Sequence, residues 1–157
     1  MTWRPQNNED VGPNEHIGRR IFDEPPLVGA RDQKPLERLS IQHFEDKDGE
    51  VSLDRLGRTG IDKGVVGYLR RRADKAGTKF RRTKAFRGWA VLTARKFGSP
   101  PAPPGHALSV IASPVHGDDL DENIYHAYVV DPRKDRYIMA LYLRELFENH
   151  GTVTEVK

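Results

Sequence analysis

The sequence predicts an α+β fold: a single compact domain in which a mixed or largely antiparallel sheet of about five strands is covered by two main helices, preceded by a flexible N-terminal arm. Three observations carry this reading. Short segments with period-two alternation recur, at 39–44, 51–56 and 124–130. Two longer segments, 62–76 and 132–150, place apolar residues on a helical stripe. The connections between them are mostly short, and 157 residues suit one core. The domain is drawn at 18–157 and the arm at 1–17.

The arm is polar and without period, with Trp3 as its one large aromatic, placed to dock locally or to meet a partner. Ile21 and Phe22 begin the ordered part, and Pro25-Pro26 stops any regular element soon after. Segments 39–44 and 51–56 flank Asp48-Gly49, a turn signal because glycine accepts positive φ cheaply, so a β-hairpin is expected over 38–56. Asp62 is the expected cap of the first helix, which carries Val65, Val66, Leu69, Ala73 and Ala76 on one stripe and is expected to end at Gly77. Gly64 and Gly67 weaken its first turns and suggest either close packing or a late start.

Segment 88–94 is nearly all apolar, as in a strand covered on both faces, and its Trp89 reads as core rather than as a stacking platform. A proline-rich loop, 99–105, leads to an expected strand at 107–113, and an acidic loop follows at 116–122. Segment 124–130 places His126 on one face with Ile124, Tyr128 and Val130. Asp131-Pro132 opens the second helix, Gly151 ends it, and 152–156 suits a short edge strand.

Composition narrows the chemistry. The absence of cysteine excludes disulfides, thiolate metal sites and a cysteine nucleophile. No run approaches the ~20 apolar residues of a membrane helix and no signal peptide is visible, so no membrane is expected and a cytoplasmic setting is. The net charge of +3 conceals a strong asymmetry: residues 63–96 hold twelve Lys/Arg and one acid, Asp74, a net +11, leaving −8 elsewhere. Such a segment suits a polyanion, and RNA or DNA is the favoured partner. The residues expected to hold it are Arg70, Arg71, Arg72, Lys75, Lys79, Phe80, Arg81, Arg82, Lys84 and Arg87, with Phe80 available for base stacking. An acidic protein partner is the alternative, in a non-enzymatic interaction or structural module. Self-association through the opposite charges is a further option.

Phosphate-loop, nucleophile-elbow and zinc-protease signatures are absent. Gly64-Val-Val-Gly67 has the spacing of a KH-type clamp, but valines suit an exposed clamp poorly. The segment 44–51 mimics a calcium loop, yet its end ligands would be Phe44 and Arg55, so it is rejected. Asp118, Asp119, Asp121 and Glu122 read as solvated acids rather than a metal site, and no metal or cofactor is expected. For a metal-independent, ribonuclease-like activity the candidate residues are His126 as general acid or base, Asn123 to orient it or bind substrate, Asp54 to orient an imidazole, and Arg55 to stabilise phosphate charge. The plainer reading is a tolerated histidine satisfied by hydrogen bonds, with a hairpin-end salt bridge at Asp54 and Arg55.

Overall fold

The computed structural model describes residues 2–6, 9–22, 50–79, 86–97, 108–117, 122–130, 143–144, 146–147 and 152–155. Its elements are β1 (His16–Phe22), β2 (Glu50–Gly57), α1 (Lys63–Lys79), β3 (Phe86–Thr93), α2 (Ala94–Phe97), β4 (Ser109–Ala112), β5 (His126–Val130) and β6 (Thr152–Glu155). The strands form one six-stranded sheet in the order β4-β5-β2-β1-β3-β6. Every pairing in it is antiparallel. The α+β arrangement is the one the sequence predicts.

Strand alternation sorts the side chains onto two faces, and a helix covers each. On one face Ile17, Leu53, Ala90, Leu92, Ala127 and Val129 pack with Phe97, Leu143, Leu146 and Phe147. Residues 143, 144, 146 and 147 are helical and are the described part of the second predicted helix. On the opposite face Leu56, Trp89 and Val91 pack against Val65 and Leu69 of α1 and against Tyr125. Trp89, Ala90, Val91 and Leu92 are all buried, so β3 is covered on both sides and Trp89 belongs to the core.

The α1 start follows its sequence signal. Asp62 Oδ1 accepts hydrogen bonds from the backbone N–H groups of Gly64 (2.8 Å) and Val65 (3.2 Å), two donors that have no partner inside the helix. Its end does not: the helix runs through Gly77 to Lys79. One internal glycine costs only about 1 kcal/mol relative to alanine, too little to stop a helix by itself.

β1 departs from expectation. Gly18, Arg19 and Arg20 interrupt its apolar pattern, yet it is the strand between β2 and β3. Gly18 is there for space: a Cβ would lie 2.6 Å from Leu56 Cδ1 and 2.7 Å from Trp89 Cδ1. The missing side chain lets the Trp89 indole lie across β1 towards β2. The expected hairpin partner, 39–44, lies outside the described residues. Within them β2 pairs with β5 over Glu50 to Asp54 and with β1 over Asp54 to Gly57.

The stretch before β1 makes defined contacts where a loose arm is expected. Trp3 N–H donates to Asp62 Oδ2 at 3.0 Å, and the Tyr125 hydroxyl donates to the Trp3 carbonyl at 2.8 Å. Strand order begins at His16, inside the span 1–17 assigned to the arm.

Candidate functional site

Asp54 is a polar node on the α1 face of the sheet. Arg20 reaches it through Nε at 2.7 Å and Nη2 at 3.3 Å, Trp89 through Nε1 at 2.9 Å, and Asn123 through Nδ2 at 3.2 Å. The donors come from β1, from β3 and from the turn before β5. Asp54 is 3% exposed. Burial pushes its carboxyl pKa up, but the Arg20 charge and the hydrogen bonds from Arg20, Trp89 and Asn123 together outweigh burial and hold it below the usual range. Asp54 is therefore a charged, well-satisfied group.

His126 is the direct cross-strand partner of Asp54, so the two side chains share a face. Within β5, His126 and Tyr128 are half-buried on this face and Ala127 and Val129 are buried on the other, the alternation expected of the strand. Tyr125 does not continue that alternation, because 124 and 125 form a turn, and it packs with the α1 cluster instead. His126 Nδ1 lies 2.9 Å from the Ser113 carbonyl oxygen. A carbonyl can only accept, so Nδ1 carries the hydrogen and Nε2 is left as the acceptor of the neutral ring. Ser113 N–H in turn donates to the His126 carbonyl at 2.9 Å.

Arg55 is placed apart from the other three. It points to the opposite face of β2, is 1% exposed, and grips Glu15 in a fork: Nε to Oε1 at 2.7 Å and Nη2 to Oε2 at 2.9 Å. Two further N–H groups donate to the carbonyls of Glu9 (3.1 Å) and Asp10 (3.3 Å), and the Trp3 ring centre lies 5.3 Å from its guanidinium carbon. The chain before β1 thus encloses the guanidinium, which is 1% exposed. Asn123 is hydrogen-bonded to Asp54, His126 is the strand neighbour of Asp54 with its own ring bonded to Ser113, and Arg55 anchors the arm.

Of the basic residues, Arg71 and Lys75 are exposed on α1 and four residues apart, hence on one face. Arg70 and Arg72 are half-buried. Arg70 pairs loosely with Asp74 (3.9 Å), and the Arg72 guanidinium lies 5.3 Å from the Tyr68 ring centre. Lys79 is the last residue of α1 and Arg87 sits on β3. Phe80, Arg81, Arg82 and Lys84 lie outside the described residues, as do Asp118, Asp119 and Asp121 of the acidic loop.

At the N-terminal end of the same α1 face is an open cavity of about 230 Å³, whose walls include Arg4, Arg71, Tyr68, Tyr125, Thr2 and Glu122. The docked arm forms one side of it. Gly64 makes that docking feasible, since a Cβ there would fall 2.0 Å from Thr2 Oγ1. The close-packing role suggested for this glycine is thus filled by the arm. Tyr68 and Tyr125 meet edge to face, 5.8 Å apart. Burial, followed by the charge of Asp62 and the neighbouring Tyr68, raises the Tyr125 pKa against the opposing pull of Arg4. Sequence reasoning missed Arg4, Tyr68 and Tyr125 here and Arg20 at the Asp54 node. The signal available for this cavity was Gly64, a glycine inside a helical stripe.

The chain matches no protein-family model, no curated protein and no solved structure. Among the described residues no helix is long and apolar enough to cross a membrane.

Proposed function

We propose that this protein is a nucleic-acid-binding domain whose contact surface is the outer face of α1, extended by Arg4 of the docked arm. The observation that carries the reading is the pairing of sequence charge with placement. Six of the twelve Lys/Arg residues of the 63–96 segment lie on α1, and Arg71 and Lys75 stand exposed on one of its faces. Arg4 lines the same cavity as Arg71. Guanidinium groups grip phosphate oxygens through paired N–H donors, and cations along a helix face neutralise successive phosphates. Arg70 and Arg72 flank this face, and Lys79 continues the basic run.

Cleavage has weaker support. His126 has a fixed tautomer and lies beside Asp54 and Asn123, which suits proton transfer, but Arg55 is unable to serve a phosphate without releasing Glu15. A non-enzymatic protein-interaction role is the second reading. It is favoured by Ile111 and Val115, which are 41% and 38% exposed at the β4 side of the sheet.

The test is fluorescence anisotropy with short single-stranded RNA and DNA oligomers, in EDTA, at two salt concentrations, with gel analysis for degradation. Binding should weaken steeply with salt, with a slope near −0.7 per neutralised phosphate for single strands. The double variant Arg71→Glu, Lys75→Glu should lose at least roughly tenfold in affinity while keeping its circular dichroism, because both residues are exposed. No binding by the unaltered protein at low salt, or full affinity in the double variant, removes the proposal.

A further inference from the structure

Resting on that reading, we infer that the cavity between the arm and α1 is a subsite for one unpaired guanine nucleotide of a single strand. The cavity combines three chemistries that a nucleotide needs together. Arg4 and Arg71 approach it from the arm and from α1. Arg71 is folded back along its helix: its Nη1 lies 3.3 Å from the point a Gly67 Cβ would occupy. Gly67 leaves that path open, so the guanidinium lies one turn towards the cavity, where it can hold a phosphate beside Arg4. Tyr68, half-buried on α1, supplies aromatic surface for a planar base, and the buried Tyr125 packs against it edge to face from behind. Arg72, close to the Tyr68 ring, supports that ring from α1.

Glu122 selects the base. A carboxylate accepts hydrogen bonds and cannot donate them. Guanine alone presents two adjacent donors, N1–H and the N2 amino group, on its Watson–Crick edge. Adenine and cytosine place a ring-nitrogen acceptor beside their single amino group, and uracil flanks its one N–H with two carbonyls, so each sets a lone pair against the carboxylate. The base edge is reachable only in an unpaired nucleotide, which excludes duplex as the ligand of this cavity. The cavity is also continuous with the proposed backbone surface, because Gly64, Gly67, Arg71 and Lys75 follow one another along one helix face.

The experiment uses four labelled oligouridylates, each with one central guanosine, adenosine, cytidine or inosine, read by anisotropy against the full chain. Inosine keeps N1–H and lacks the N2 amino group. The guanosine oligomer should bind roughly tenfold tighter than the adenosine and cytidine oligomers, the scale of one bidentate base contact, with inosine in between. Glu122→Gln and, separately, Gly64→Ala should each collapse that preference to near parity. The first removes the paired acceptors, and the second drives Thr2 off the helix without changing any charge. Circular dichroism of both variants distinguishes this from loss of the fold. If Gly64→Ala does not fold, Glu122→Gln alone decides. Equal affinity for all four oligomers, with salt-sensitive binding retained, overturns the guanine subsite and leaves the α1 surface standing. Absence of binding by every oligomer at low salt overturns both.

Discussion

At the scale of single residues, the Asp54 carboxylate joins three strands and a turn through four hydrogen bonds. Removing it would leave the Trp89 indole N–H and the Arg20 guanidinium facing a vacancy, one of them fully buried. Asp54→Ala should therefore cost about 3–5 kcal/mol in chemical denaturation, the range for breaking a buried ion pair. His126→Ala removes one hydrogen bond from a half-buried site and should cost about 1 kcal/mol. If His126 works as a general acid or base in strand cleavage, the same substitution should instead lower turnover about 10²-fold with little change in melting temperature. The pH dependence has a definite sign. The carboxyl pKa values of Asp54 and Asp62 are both depressed in the folded state, the latter chiefly by the Trp3 N–H. Their contribution is fully present above the unfolded value of about 3.9 and is lost as pH falls through the folded values. Urea midpoints should be flat from neutrality to about pH 5 and then fall with acid. In Asp54→Asn the acid-dependent part should shrink. An acid limb as steep as that of the unaltered protein would show that other carboxylates dominate.

At the scale of elements, β1 and α1 differ in how far they could be read. The α1 start, its cap and its buried stripe follow from local rules, because Asp62, Val65 and Leu69 signal to neighbours within two turns. β2, β3, β4, β5 and the short β6 were legible for the same reason: each carries its own alternation or apolar run, though 107–113 shrinks to Ser109–Ala112. β1 was hidden because Gly18 answers to Trp89 and Leu56, which are far away in sequence. The Arg20–Asp54 pair, 34 positions apart, and the Arg55–Glu15 clamp, 40 apart, were hidden likewise. A charged residue in a strand announces that it has a partner but not which one. Of the residues picked for their chemistry, Asn123 and Asp54 are hydrogen-bonded, while His126 is the strand neighbour of Asp54 and its ring is held by Ser113. Arg55 was picked on the same ground and is held on the other face. Gly18→Ala tests the β1 account. Its added methyl must displace two packed side chains, so a loss of about 1–3 kcal/mol is expected. A neutral or stabilising result would mean that Trp89 has room to move.

At the scale of the molecule, α1 covers one sheet face and the N-terminal arm packs beside it, so that Arg4 and Arg71 line one cavity. The arm is held by Trp3 on Asp62 and Tyr125, by the Glu9 and Asp10 carbonyls and the Glu15 carboxylate on Arg55, and by the Pro13 and Glu15 carbonyls, which accept from the N–H groups of Arg95 and Ala94. Glu15→Ala leaves Arg55 buried without its carboxylate and should cost about 3–5 kcal/mol. A cost that small exposed ion pairs show, below about 1 kcal/mol, would mean the arm is not anchored there. Arm and helix should also respond together to a ligand, since Arg4 and Arg71 share a cavity.

Backbone amide chemical shifts, followed during titration with a short single-stranded oligomer, locate the proposed nucleic-acid surface on α1 and the arm beside it. Shifts should concentrate at Thr2, Arg4, Gly64, Tyr68, Arg71 and Lys75, and fade as salt is added. Shifts centred instead on Ile111 and Val115, or none anywhere at low salt, would contradict that placement.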